Sequence, residues 1–302
     1  MALTDKPFGD TGVENSEHRL VPQLTFSREN DREPQPPKPA SDPTSIKALM
    51  ENDARFPLVL DRHHLAAAEA FSILRSRLLA VHNKLGTRSV VISSAQSGDG
   101  KTLVATNLAI SLGKLGSKRI LFVDGDLRAG TATRVLKLND LPGLAEYLQG
   151  KKSFESVVHV TEFPALAVVP TGVVPNDSLP HMLEGPRWAE FLEQAKLRND
   201  LIIVDSLPLS APVADLELLT APCDAVLFVV YMRRTNRQAL QRVHSRLDSK
   251  KFLGVIINNA DEIYDYDKNY YNIRSHQGDG ENKSKSNGWR AFAAKHFGSQ
   301  HD

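Results

Sequence analysis

The residues that can do chemistry begin at "SSAQSGDGKT", Ser93 to Thr102, which follows the β-branched run "SVVISS" and opens a stretch with helical spacing. A strand, a glycine-bearing turn and Gly-Lys-Thr at a helix start form the arrangement that wraps a triphosphate. Backbone N–H groups turn inward and the helix N-terminus adds partial positive charge. Lys101 reaches the outer phosphates, and the Thr102 hydroxyl can hold Mg²⁺. Gly98, Asp99, Gly100, Lys101 and Thr102 are therefore the expected nucleotide-binding residues. The strict pattern asks for glycine at position 95, where this chain has Ala95. Two acidic sites follow: "ILFVDGDLR" with Asp124 and Asp126, and "LIIVDS" with Asp205. A lone aspartate after a strand usually caps a helix. Three of them in a chain with a phosphate loop favour Mg²⁺ and catalysis, with Thr102, Asp124, Asp126 and Asp205 as metal ligands and Lys101 with the three aspartates as the catalytic set.

A second cluster reads "DEIYDYDKNYYN", residues 261 to 272. It gathers Tyr264, Tyr266, Tyr270 and Tyr271, four of the six tyrosines, among acids. Exposed phenols are good phosphoryl acceptors. Residues 261 to 271 carry about −3, and each phosphotyrosine adds roughly −1.5 to −2, so four would bring the segment to about −9 to −11. A tail so charged is expelled from an acidic Mg²⁺ site that the unmodified tail can enter. The plainer alternative is an edge strand with alternating aromatics, which "NYYN" and the lack of aliphatic partners argue against.

The elements that must position these groups follow from hydrophobic pattern. Near-continuous apolar runs at 89–94, 119–124, 165–170, 201–205, 225–231 and 253–258 read as strands buried on both faces. Helices are expected over Leu103–Lys114, Leu183–Leu197, Pro212–Leu219 and Arg237–Asp248, with another, His64–Asn83, before the first strand. Strand and helix in alternation imply an α/β fold: a mostly parallel, Rossmann-like sheet of the P-loop NTPase kind with helices on both faces. The expected organisation is a disordered proline-rich arm over 1–55, a nucleotide-binding domain over 56–260 and a flexible tail over 261–302.

The chain has 302 residues, 41% of them hydrophobic, a net charge of +1 and one cysteine, Cys223. No internal disulfide is possible, which fits a reducing compartment. The longest apolar runs are far shorter than the roughly 20 residues of a membrane span, and the first residues lack the apolar core of a signal peptide. A cytoplasmic protein is expected, brought to the membrane by a partner if at all. The arginines of "RRTNRQALQRVHSRLDSKK" scatter around a helix rather than forming a stripe, so the segment reads as a solvated helix and not a nucleic-acid surface. The ten histidines show no metal-ligand spacing.

Taken together, these motifs resemble the bacterial tyrosine kinases of capsule and exopolysaccharide export, within the deviant P-loop group that includes the partitioning and cell-division ATPases. The resemblance spans roughly Glu69 to Tyr271. The family loop, approximately S-x-x-P-G-E-G-K-[ST], is matched by "SAQSGDGKT" with Ser97 for proline and Asp99 for glutamate. D-x-D-x-R is matched at Asp124, Asp126 and Arg128, and D-[ST]-P-P at Asp205 and Ser206, departing at Leu207. Gln96 stands where partitioning ATPases carry an extra lysine, which favours the kinases. "GLAEYLQG", "VVPTGVVPN" and the terminal tyrosine cluster also resemble family segments. The resemblance implies a protein-tyrosine autokinase using ATP and Mg²⁺, with Asn258 of "GVIINN" at the adenine and Asp124 or Asp126 receiving or orienting the phenol. It implies a homo-oligomer through an E-x-x-R-x-x-R helix, matched here by Glu69 and Arg75 with Ser72 in the middle place. It also implies a separate transmembrane chain-length regulator as activator, with sugar-nucleotide enzymes as further substrates. Two alternatives remain at this level: an ATPase switch, which an amphipathic "GWRAFAAKHFG" anchor would suit, or a nucleotide-binding scaffold without catalysis, as Leu207 and Ser72 would suit.

Overall fold

A computed structural model describes residues 65–175, 181–211, 214–235, 238 and 248–260. The arm over 1–55, the tail over 261–302 with its four tyrosines, and most of the expected helix Arg237–Asp248 lie outside the described residues. In chain order the elements are α1 (Leu65–Leu85), β1 (Ser89–Ser94), α2 (Lys101–Leu115), β2 (Ile120–Asp124), α3 (Thr131–Val135), α4 (Leu144–Leu148), α5 (Phe154–Val157), β3 (His159–Val160), β4 (Leu166–Val169), α6 (Arg187–Arg198), β5 (Leu201–Asp205), α7 (Asp215–Thr220), β6 (Ala225–Tyr231) and β7 (Phe252–Asn258).

The strands form one sheet in the order β3-β4-β2-β5-β1-β6-β7. All pairs are parallel except β3 with β4. The α/β, mostly parallel architecture expected from the sequence is the one observed. β1, β2 and β5 are buried along their whole length, which is why they read as unbroken apolar runs rather than alternating ones. The two sheet faces build two cores. On one, α1 to α3 contribute Leu78, Val104, Leu108, Leu112 and Ala132. On the other, α4 to α7 contribute Leu144, Tyr147, Phe154, Trp188, Phe191 and Leu219.

This arrangement fixes a geometric consequence. Ser94, Asp124, Asp205, Tyr231 and Asn258 are the last residues of five mutually parallel strands, so all five stand at one edge of the sheet, where open α/β sheets bind ligands.

Several expected boundaries move. α6 begins at Arg187 rather than Leu183, because Gly185 and Pro186 precede it and proline is tolerated at a helix start but not inside. α7 begins at Asp215 rather than Pro212, with Asp215 and Glu217 in its first turn, where acids suit the positive end of the helix dipole. Asp248 is extended rather than helical, and its carboxylate caps a 3₁₀ turn by accepting from Lys250 N. α3, α4, α5 and β3 carry too few residues for a periodic signal and were not expected.

α1 docks on α2 through Phe71, Leu74 and Leu78. Arg75 is tied down within its own chain: it donates to the Ser111 carbonyl and hydroxyl and to the Ser72 hydroxyl, each at 3.0 Å. Ser72 thus fills the middle place of the expected interface motif as a local acceptor, and Glu69 is exposed on the same helix.

Phe191 is fully buried, stacked on Trp188 at 5.6 Å and edge-on to Tyr147 at 5.1 Å. Phe191→Ala is expected to cost about 3–5 kcal/mol in urea denaturation. Leu197→Ala, at a side chain 77% exposed, is expected to cost less than about 0.5 kcal/mol.

Candidate active site

The phosphate loop leaves β1 at Ser94 and enters α2 at Lys101. Gly98 and Gly100 hold φ of 82° and 96°, a left-handed conformation that a side chain would strain. Ala95, the departure from the strict pattern, has no positive φ and lies buried in the apolar cluster with Leu207 and Leu209. No glycine is needed there, because the methyl group has a core to enter. Leu207, the departure in the second acidic motif, is buried in the same cluster, while Asp205 keeps its place at the end of β5.

The three aspartates are buried, and the structure distinguishes them. Asp205 is fully buried, and among the described residues neither of its carboxylate oxygens has a hydrogen-bond partner. Burial pushes its pKa up to about 8, opposed first by the Lys101 ammonium, and the neighbouring Asp124 adds to the rise. Asp126 faces Lys101, Oδ2 to Nζ at 3.3 Å, and its Oδ1 accepts from Ala129 N. Asp124 is committed to α3: its Oδ2 accepts from both the amide and the hydroxyl of Thr133, at 2.7 and 2.8 Å, and its Oδ1 accepts from Asp126 N. Burial still raises its pKa to about 6, with the Thr133 bonds holding it back. The Thr133 hydroxyl also accepts from Thr171 N, so Asp124 anchors α3 and the loop after β4 together. Arg128 leaves the cluster and pairs with Asp215 at 2.7 Å.

Lys101 Nζ lies 3.3 Å from the Thr102 hydroxyl and stands between the loop and the acids. Asn258, expected at the base, directs its amide to the Asp99 carbonyl at 2.9 Å and sits directly over Gly100. The turn after β6 reaches the loop as well. Arg234 donates to the Ser97 carbonyl at 2.8 Å and the Gly98 carbonyl at 3.3 Å, and the Thr235 hydroxyl donates to Asp99 Oδ1 at 2.9 Å. Neither residue was expected in the site, because the segment reads as a solvated arginine-rich helix. Thr133 gave no signal either, since nothing in the sequence ties it to Asp124 nine residues earlier.

A family model described as an AAA domain matches residues 87–252, more than half of the chain. The tyrosine-protein kinase CpsD of Streptococcus agalactiae is 30% identical over 176 residues, 57% of this chain and 76% of that one. The chain belongs to the bacterial tyrosine kinase family. The succinoglycan biosynthesis transport protein ExoP of Rhizobium meliloti is 33% identical over 211 residues, 68% of this chain. The chain spans 26% of ExoP and 26% of EpsB of Ralstonia solanacearum. Among solved structures, the VpsO kinase domain superposes with a TM-score of 0.58 at 28% identity, covering 65% of this chain and 95% of that domain. Membership in this family of P-loop ATPase domains implies nucleotide binding.

The fit to Mg²⁺ rests on Asp205. Two buried oxygens without partners, beside a lysine and below a phosphate loop, are what a cation would satisfy. Among the described residues no three His, Cys, Asp or Glu side chains converge as a ready-made metal cluster. That suits Mg²⁺, which keeps waters and phosphate oxygens in its shell and takes few protein ligands.

Because the folded chain holds a proton on Asp205 that the unfolded chain has released by about pH 4, the burial penalty is absent below that pH and grows until about pH 8. The nucleotide-free melting temperature is therefore expected to fall between pH 6 and pH 8.5, by about 5 °C relative to Asp205→Asn. Differential scanning fluorimetry at the two pH values measures this. An equal slope in both proteins would refute the assignment.

Proposed function

We propose that this chain is an ATP-dependent protein-tyrosine autokinase. It phosphorylates the cluster Tyr264, Tyr266, Tyr270 and Tyr271 between copies and thereby regulates exopolysaccharide or capsule synthesis and export. The observation that carries this reading is the convergence of Lys101, Asp126 and Asp205 at the sheet edge under a phosphate loop, in a chain of the tyrosine kinase family.

Gly98, Asp99, Gly100 and Lys101 would cradle the phosphates. Thr102 and Asp205 would hold Mg²⁺, with Asp126 in reach through water. When bound, the ion neutralises charge on the phosphate oxygens. Lys101, now facing Asp126, would turn to the transferred group. In the transfer, the bond from the γ-phosphorus to the ADP oxygen breaks as one to the phenol oxygen forms, and the phenol proton passes to a carboxylate. Asp126 suits that last role better than Asp124, whose oxygens are engaged by Thr133 and the Asp126 amide. A tyrosine with a pKa near 10 gains mainly orientation from it.

The tail follows Asn258 by three residues, which makes a short tether. The need to align a phenol with the γ-phosphate favours a neighbouring molecule. Such transfer needs an encounter between copies. Arg75 is engaged within its own chain, so the Glu69–Arg75 helix would self-associate weakly. A separate transmembrane chain-length regulator would act as activator at the cytoplasmic face of the membrane, with sugar-nucleotide enzymes as further substrates. Among the described residues no helix is long and apolar enough to cross a membrane.

The test mixes a Lys101→Met chain having an intact tail with an active chain whose four tail tyrosines are phenylalanine, in Mg-ATP. Phosphate is expected on the Lys101→Met tail, with Tyr147, buried and bonded to Gln194, unmodified. ATP hydrolysis with both chains unlabelled would make the protein an ATPase switch. Labelling only when site and tail share one chain would refute transfer between copies.

A further inference from the structure

Three consecutive carbonyls of the phosphate loop receive donors from outside it. The Ser97 and Gly98 carbonyls take the two ends of the Arg234 guanidinium, and the Asp99 carbonyl takes the Asn258 amide. The Asp99 side chain is held from outside at Oδ1 by the Thr235 hydroxyl and from within the loop at Oδ2 by Gln96 N. In a trans peptide the carbonyl and the following N–H point in opposite directions. Fixing the Ser97 and Asp99 carbonyls toward β6 and β7 therefore turns the N–H groups of Gly98 and Gly100 the other way.

A loop of this kind has a cost when no phosphate is present. Its N–H dipoles are aligned with one another, and its two left-handed glycines are free to leave that conformation. Ser97 has no ring to fix its φ. Something else has to hold the shape, and the turn after β6 is built to do so. Arg233 takes a left-handed φ of 63°. Arg234 N donates to the Tyr231 carbonyl, and its guanidinium lies 5.5 Å from the Tyr231 ring. The Thr235 hydroxyl accepts from Tyr231 N while donating to Asp99.

We infer that Arg234, supported by Thr235, is a positioning residue that preorganises the phosphate loop for nucleotide by holding its carbonyls away from the phosphate side. A guanidinium suits this task because its planar fork gives two parallel, charge-assisted bonds to neighbouring carbonyls, whereas an ammonium supplies a point charge. The inference depends on nucleotide binding at the loop, and not on what receives the phosphoryl group.

The experiment compares wild type, Arg234→Ala and Arg234→Lys in the full chain. It measures Mg-ADP affinity by titration, melting temperature without nucleotide, and amide hydrogen exchange of residues 98–102 without nucleotide. Arg234→Ala is expected to weaken Mg-ADP about ten-fold, an effect of the size expected from losing a charge-assisted hydrogen bond. It should also speed loop exchange and leave the melting temperature within about 2 °C. Arg234→Lys should fall between the two in both affinity and exchange. Affinity within about twofold of wild type in Arg234→Ala would overturn the inference. So would weakened affinity with unchanged loop exchange, which would make Arg234 a direct nucleotide contact. A fall in melting temperature with faster exchange throughout β1 and β6 would show a merely structural role. Loss of tyrosine transfer in wild type with Mg-ADP binding intact would count against the kinase reading and leave this inference standing.

Discussion

The site depends on an electrostatic imbalance: more buried carboxylate than buried cation at one sheet edge. Asp124 and Asp205 end adjacent paired strands, Asp126 follows two residues later, and Lys101 is the cation the structure places among them. Lys101 faces Asp126. Asp124 is satisfied by backbone and hydroxyl donors from α3. Asp205 is left with its oxygens unpartnered. Burying a carboxylate without a partner is costly, and such a cost persists where a bound ligand relieves it. Without a ligand the folded domain limits this cost by holding a proton on Asp205, and a cation with a nucleotide would take that proton's place.

Around that imbalance, hydrogen bonds divide the work. Asp124 reaches through Thr133 to Thr171 and so ties β2, α3 and the loop after β4 into one unit. Glu146 extends the tie by accepting from Gly143 N and Val173 N. On the other side, Arg234, Thr235 and Asn258 fix the phosphate loop from β6 and β7. Both sets act mostly on backbone groups, the Thr133–Asp124 and Thr235–Asp99 side-chain bonds apart, which is why the side chains that supply them need not belong to any phosphate-binding pattern. Among the described residues Lys101 is held only by Asp126 and the Thr102 hydroxyl, and the Asp205 carboxylate has no hydrogen-bond partner.

Much of the frame was legible because burial on both faces leaves a strong sequence mark. β1, β5 and β6 were read to their exact ends, since burial on both sides leaves an apolar run that stands out, flanked by small serines in β1 and closed by Asp205 in β5. Short elements were not legible. α4 has five residues, and its helical state is fixed by Glu146 returning to Gly143 N and by bonds from Leu144 N and Ala145 N to the Pro170 and Thr171 carbonyls, contacts that span more than 20 residues. The start of α6 was misplaced because apolar spacing was followed through Gly185 and Pro186.

The sequence by itself determined the chemistry on offer: a phosphate loop, three aspartates at strand ends, and a cluster of phenols. Local geometry suffices for this, because a strand followed by Gly-Lys-Thr presents the same N–H groups wherever the motif folds. Tertiary structure decided which aspartate is free. Asp124, Asp126 and Asp205 are equivalent in sequence, each an acid at or just beyond the end of an apolar strand. They differ because Thr133 lies where it can saturate one, Lys101 faces another, and the third meets neither at bonding distance. The fold likewise decided that an arginine from a segment resembling a solvated helix, more than 130 residues from the loop, holds it in shape. Hydrogen-bond partners are assigned by proximity in space, and proximity across such distances is set by strand order, which no local pattern encodes.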